Sequence, residues 1–74
     1  MANTKTVTEI RERIEIDGYC MVPISTIEHY AGESFTDDDA LETYLDSMIS
    51  GASWVTSYEV DYVLRNVLFK GPIA

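Results

Sequence analysis

The side chains that could do chemistry in this chain are mostly carboxylates, and their arrangement matters more than their number. Asp37, Asp38 and Asp39 are consecutive, and Glu42 and Asp46 follow at a spacing of four. Three adjacent acids lack the alternate spacing and turn glycine of a calcium loop. They suit a helix start, where the dipole favours anions. Covalent catalysis needs a nucleophile with a base held in reach. Cys20 and His29 form the single such combination, and nothing in the sequence orients the imidazole. No glycine-rich phosphate loop and no cysteine knuckle for a metal exists. The expectation is a protein that is not an enzyme and takes no cofactor and no metal.

The charge distribution gives the carboxylates a second meaning. Thirteen acids stand against five bases, for a net charge of −8. The bases are Lys5, Arg11, Arg13, Arg65 and Lys70, so residues 14–64 contain no Lys or Arg. Such a chain repels nucleic acid and anionic membranes directly. Ordinary surfaces mix both signs, so the gap is a departure from a plain solubility device. With 46% apolar residues the chain is no disordered acidic tail. Cys20 is the one cysteine, which forbids an intrachain disulfide and suits a reducing compartment; Tyr19 and Met21 beside it point to a small buried hydrophobe. The longest apolar stretch, Tyr19 to Ile24, is far below the ~20 residues of a membrane span. The start of the sequence has no apolar signal-like region, and a cytoplasmic protein is expected.

The elements that must position these acids follow from spacing. Seventy-four residues make one domain with a thin margin of stability, residues 1–5 being frayed. Thr6 and Glu9 fit a capping box, and Val7, Ile10 and Ile14 lead a helix over about 7–17 that Gly18 stops. A hairpin through Asp17-Gly18 is the competing reading. Tyr19 to Val22 is extended ahead of Pro23. Ser25 caps a brief helix over 26–31, ended by Gly32. Thr36 caps the main helix, 36–50, on which Leu41, Tyr44, Leu45, Met48 and Ile49 form one stripe. Trp54 plugs the core from the following connection. A last helix is expected from Thr56 or Ser57, with Thr56 and Glu59 as its capping box. Val60, Val63, Leu64, Val67 and Leu68 form its stripe, and Gly71-Pro72 its stop. Tyr58, Val60, Tyr62 and Leu64 also alternate, which leaves a strand over 58–64 open. The fold expected is mainly α, three or four short helices with one extended segment near 19–23; the alternative is α+β with a small hairpin.

On the 36–50 helix, Asp38, Glu42 and Asp46 form a row expected opposite Leu41 and Leu45, with ~6 Å between members at 1.5 Å per residue. Phosphates along a nucleic-acid strand are spaced similarly. Like charges four apart weaken a helix by ~0.2–0.5 kcal/mol per pair, so stability alone does not favour this row. The candidate partner-binding residues are Asp37, Asp38, Asp39, Glu42 and Asp46, with Glu33, Glu59 and Asp61 as a flank.

Two family resemblances follow. Asp46-Ser47-Met48 is similar to the attachment motif of acyl carrier proteins, but there the serine heads a helix and here Ser47 lies inside the predicted one. The stretch TDDDALETYLDSMISGASWVTSYEVDYVL, residues 36–64, resembles the overcome-classical-restriction protein of phages: an acidic helix start, an apolar stripe, a turn with a tyrosine, another helix. The likeness covers under half the chain, and the sequence carries no counterpart of that family's long acidic tail. Anti-CRISPR proteins and uracil-DNA glycosylase inhibitors share the same acidic style. The resemblance implies a phage-encoded inhibitor, some members of the class being DNA mimics. Its partner would be a host nucleic-acid-binding defence protein with a basic groove, of restriction or CRISPR type. It implies no direct nucleic-acid binding and no membrane, and leaves a homodimer open. The alternative is an antitoxin-like or adaptor protein that binds through an apolar face.

Overall fold

The computed structural model describes residues 4–74, with side chains from Val7 onward. The chain runs α1 (Thr4–Asp17), β1 (Tyr19–Pro23), α2 (Ile24–Ala31), α3 (Asp38–Ile49), β2 (Ser57–Asp61) and β3 (Asn66–Lys70). The strands form one antiparallel sheet in the order β1-β3-β2. This is an α+β domain, which corrects the expectation of a mainly α fold.

The first half follows its local signals. Ile10 and Ile14 on α1 are buried at helical spacing. Gly18, at φ 84°, donates its N–H to the Ile14 carbonyl at 2.7 Å and turns the chain into β1. A glycine takes that left-handed backbone without strain. The Asp17-Gly18 hairpin is therefore not formed. The helix starts before Thr6, so Thr6 is not its N-cap, and the Thr6 side chain lies outside the described residues. Of the expected frayed stretch, residues 1–3 lie outside the described residues, while 4 and 5 already belong to α1. α2 begins at Ile24, with Pro23 rather than Ser25 at its N-cap.

The second half overturns the predicted last helix. Its place is taken by β2, a turn over residues 62–65, and β3. Thr56 caps no helix: its N–H and its hydroxyl both donate to the Lys70 carbonyl, at 2.8 and 3.2 Å, and open the β2–β3 pairing. The Asp61 carboxylate accepts from the N–H groups of Val63 and Leu64, at 3.0 and 2.9 Å, which fixes the turn. Arg65 closes it at φ 59°. The helical stripe was a coincidence of two strand alternations. Val60 and Val67 do face the core, but Val63 and Leu64 sit on the exposed turn. β1 supplies the physical reason. Its backbone groups need partners, and β3 provides them at Cys20–Phe69 and Val22–Val67, in phase with the flanking bonds from Gly71 N–H to the Gly18 carbonyl and from Ile24 N–H to the Arg65 carbonyl.

The sheet has two unlike faces. Cys20, Val22, Val67, Phe69, Tyr58 and Val60 point into the core, where Ile14, Ile24, Ile27, Leu41 and Leu45 of the helices meet them. The intervening positions point away from all three helices. Cys20 is half-buried and packs on the core, and Trp54 packs on it partly exposed. The chain's end is tied back to α1: Gly71 N–H donates to the Gly18 carbonyl and Ala74 N–H to that of Glu15. Gly71 is no helix stop. A Cβ there would lie 2.1 Å from the Trp54 carbonyl oxygen and 2.8 Å from an Ile14 methyl, so the crossing needs a glycine.

Candidate functional site

α3 carries the acids. Asp37, rather than Thr36, is its N-cap: the Asp37 carboxylate accepts from the Asp39 N–H at 3.0 Å. Asp38 and Asp39 occupy the first turn, as their favourable interaction with the dipole requires. Leu41 and Leu45 are buried and set the helix's rotation.

That rotation corrects the position of the acidic row. At ~100° per residue Glu42 lies only ~60° around the helix from Leu45, beside the buried stripe rather than opposite it. Glu42 and Asp46 therefore meet the β2–β3 hairpin. The Tyr58 hydroxyl donates to Asp46 Oδ1 at 2.7 Å, with the Glu42 carbonyl oxygen at 3.4 Å. The Tyr62 hydroxyl donates to Glu42 Oε2. The bond to Glu42 pushes the Tyr62 phenol up to about 12, with desolvation and the charges of Glu42, Asp38 and Asp39 adding to it. Burial raises Tyr58 most, followed by its bond to Asp46 and the surrounding acids. Both hydroxyls thus remain donors throughout the neutral range. Sequence reasoning missed these two tyrosines as parts of the site. The signal available was the alternation of Tyr58, Val60 and Tyr62, which as a strand puts Tyr58 on the face toward α3.

The remaining predicted residues divide. Glu33, Asp37 and Asp39 line a shallow groove on the other flank of α3 with Phe35 and Tyr44, whose rings lie 5.2 Å apart. Burial raises the Tyr44 phenol, helped by Tyr30 and Glu33. Glu59 and Asp61 do not join the α3 face. They occupy the outward positions of β2, on the far side of the sheet from the helices. Glu59 pairs there with Lys70 at 3.5 Å, and Asp61 holds the turn.

Counter-charges are distributed unevenly. Arg11 pairs with Glu15 and Arg13 with Asp17, both at 3.3 Å; Arg65 pairs with Glu28 at 3.8 Å, and Lys70 with Glu59. Glu28 also accepts the Phe35 N–H at 2.8 Å, so it ties the hairpin turn to the loop before α3. Among the described residues no base stands within ion-pair distance of Asp37, Asp38, Asp39, Glu42 or Asp46.

The groups considered for catalysis sit apart from this arrangement. Cys20 faces the core from β1, where burial raises its thiol, Arg13 opposing and Asp17 adding; a protonated thiol is a weak nucleophile. His29 is exposed on α2. Among the described residues no group of three or more His, Cys, Asp or Glu could hold a metal ion, and no helix is long and apolar enough to cross a membrane. What the α3 face can do is attract and position cationic groups. No protein-family model matches the chain, and no curated protein or solved structure matches it either.

Proposed function

We propose that the protein works by binding, offering the α3–hairpin face to the basic groove of a nucleic-acid-binding protein and occupying that groove in place of nucleic acid. One observation carries this reading: every base with a described side chain pairs with an acid elsewhere, while the five carboxylates at and along α3 have no basic partner among the described residues. Two of the five are held by tyrosine hydroxyls, so part of the row is ordered before any partner arrives. Preorganised groups lose less entropy on binding. Each exposed charge contributes only ~0.2–1 kcal/mol, so the row acts as a sum. On this reading the chain is a cytoplasmic inhibitor without catalytic activity or cofactor, in the manner of the phage anti-defence proteins it resembles.

The test is a comparison of the wild type with the triple variant Asp38→Asn, Glu42→Gln, Asp46→Asn, each immobilised and exposed to a bacterial lysate. The amides keep an acceptor oxygen for Tyr58 and Tyr62. A nucleic-acid-binding protein should be retained by the wild type, released by its own nucleic acid and by added salt, and lost from the triple variant. Retention of that protein at full strength by the triple variant would remove this face from the function.

A further inference from the structure

The two free edges of the sheet are protected unequally. An edge strand leaves the N–H and C=O of every second residue without a ladder partner, a template for another strand. β1 and β2 are the edges in the order β1-β3-β2. β2 carries Glu59 and Asp61, charges of the kind that blunt an edge. β1 reads Tyr-Cys-Met-Val-Pro and carries no charge. Its bonds to β3 fall at Cys20 and Val22, in phase with Gly18 and Ile24 beyond its ends. The N–H and C=O groups of Tyr19 and Met21 therefore point away from β3, and no hydrogen bond reaches them among the described residues. Pro23 shares that phase and offers a carbonyl alone. Tyr19 and Met21 are 55% and 58% exposed.

A groove of about 380 Å³ runs beside this edge, between β1 and the helices α1 and α2. Residues 20–23 form one wall, and Ile10, Glu12 and Ile16 of α1 with Thr26 of α2 form the rest. Ile16 is exposed. Glu12 has no basic partner among the described residues, and Arg13 next to it is held by Asp17. We infer that β1 takes an extended segment of a partner protein as an added antiparallel strand. Backbone geometry selects a strand as the occupant. Two donors and three acceptors stand in a row along the edge, with ~7 Å between alternate residues, and an extended backbone repeats that pattern. Incoming residues level with Tyr19 and Met21 turn their N–H and C=O to the edge and their side chains to the outer face. Those level with Cys20 and Val22 put their side chains into the groove. There Ile16 suits an apolar group and Glu12 a cation. The segment is therefore one that alternates, with apolar and basic side chains sharing a face. The net charge of −8 favours a basic segment as well. A second copy of β1 has no base to offer Glu12. The edge lies across the sheet from β2, whose Tyr58 docks on α3, so this site is separate from the acidic face.

NMR of the isotope-labelled full chain tests the inference with a capped peptide of repeating sequence Lys-Thr-Val-Thr. As a strand it places Lys and Val on one face and Thr on the other. In the free protein the amides of Tyr19 and Met21 should exchange with solvent quickly, and those of Cys20 and Val22 slowly. The peptide should shift the first two and slow their exchange at least ~tenfold. Methylation of peptide nitrogens separates backbone pairing from plain attraction to acids. Methyl groups on the Thr nitrogens face the edge and should weaken binding at least ~tenfold. On the Val nitrogens they face solvent and should leave binding unchanged. Glu12→Lys, at an exposed position of α1, should weaken it ~two- to fivefold. A peptide that binds alike in both methylated forms is held by charge, at α3 or elsewhere, and overturns the inference. So does a peptide that leaves the Tyr19 and Met21 amides unmoved. Slow exchange of these two amides in the free protein overturns it too, because the edge is then already covered by the chain itself or by a second copy.

Discussion

The two sides of this small domain treat the same strands differently. On the inner side Phe69 and Val67 are fully buried beneath the helices, and α3 carries a row of acids that no base among the described residues pairs with. On the outer side Leu68 and Met21, one residue out of step, have no helix over them, and Glu59 beside them is paired with Lys70. A one-residue shift along a strand exchanges core for surface. Apolar character at Leu68 or Met21 therefore adds little to folding and is available for association. On α3 the acids cap the helix, complement its dipole and hold two tyrosines, and the charge left without a basic partner among the described residues is available for a cationic partner.

The largest effects should come from the inner side. Phe69→Ala should cost ~3–5 kcal/mol, enough to unfold a domain this small. Leu68→Ala, its neighbour on the bare face, should cost below ~1 kcal/mol. Urea unfolding of the two variants measures the contrast, and equal losses would mean that the outer face is also covered in the monomer.

Gly71→Ala should be next. The new methyl group meets the Trp54 carbonyl and Ile14 rather than a flexible side-chain end, and overpacking of this kind costs ~1–3 kcal/mol or more. A thermal melt unchanged by this substitution would show that the crossing of residues 54 and 71 is not as close as described. Neither this site nor β3 could be read from the sequence. Gly71-Pro72 looks like a helix stop because the same two residue types end helices, and the close approach of Trp54 exists only once both segments are folded.

A smaller effect separates the sides by pH. Tyrosine ionises near ~10 in an unfolded chain; Tyr62 is pushed up to about 12 by its bond to Glu42, and Tyr58 is raised by burial and Asp46. Their folded values are raised, so the stability they contribute is fully present below ~10. It is lost as pH climbs through the folded values. Tyrosinate absorbance against pH should show these two phenols ionising late, and Glu42→Gln should bring Tyr62 down. A single transition at the ordinary tyrosine value, unaltered by Glu42→Gln, would mean that the hairpin is not docked on α3.

The smallest effect belongs to the acidic row. Neutralising Asp38, Glu42 and Asp46 removes two like-charge pairs, each worth ~0.2–0.5 kcal/mol against the helix. The triple variant should melt at the same temperature or slightly higher. A clear loss of stability would make the row part of the fold rather than a surface free to bind.

The sequence by itself determined the local elements and the charge. α1 and α3 were legible because a helix closes its hydrogen bonds four residues away. Ile10, Ile14, Leu41 and Leu45 therefore announce themselves by spacing, and Gly18 and Gly32 end helices in left-handed backbone as expected. The absence of bases from residues 14–64 was a plain count. What only the tertiary structure decided was everything that depends on partners far along the chain. β3 exists because β1, near the other end, needs its backbone groups paired. Val60, Val63, Leu64, Val67 and Leu68 fit a helix and a hairpin equally well until that pairing selects the hairpin. The hairpin in turn brings Tyr58 and Tyr62 onto α3 and carries Glu59 and Asp61 to the other side of the sheet. Spacing along one element can say which residues share a face. Which face is covered, and by what, is settled by contacts between elements that no local pattern encodes.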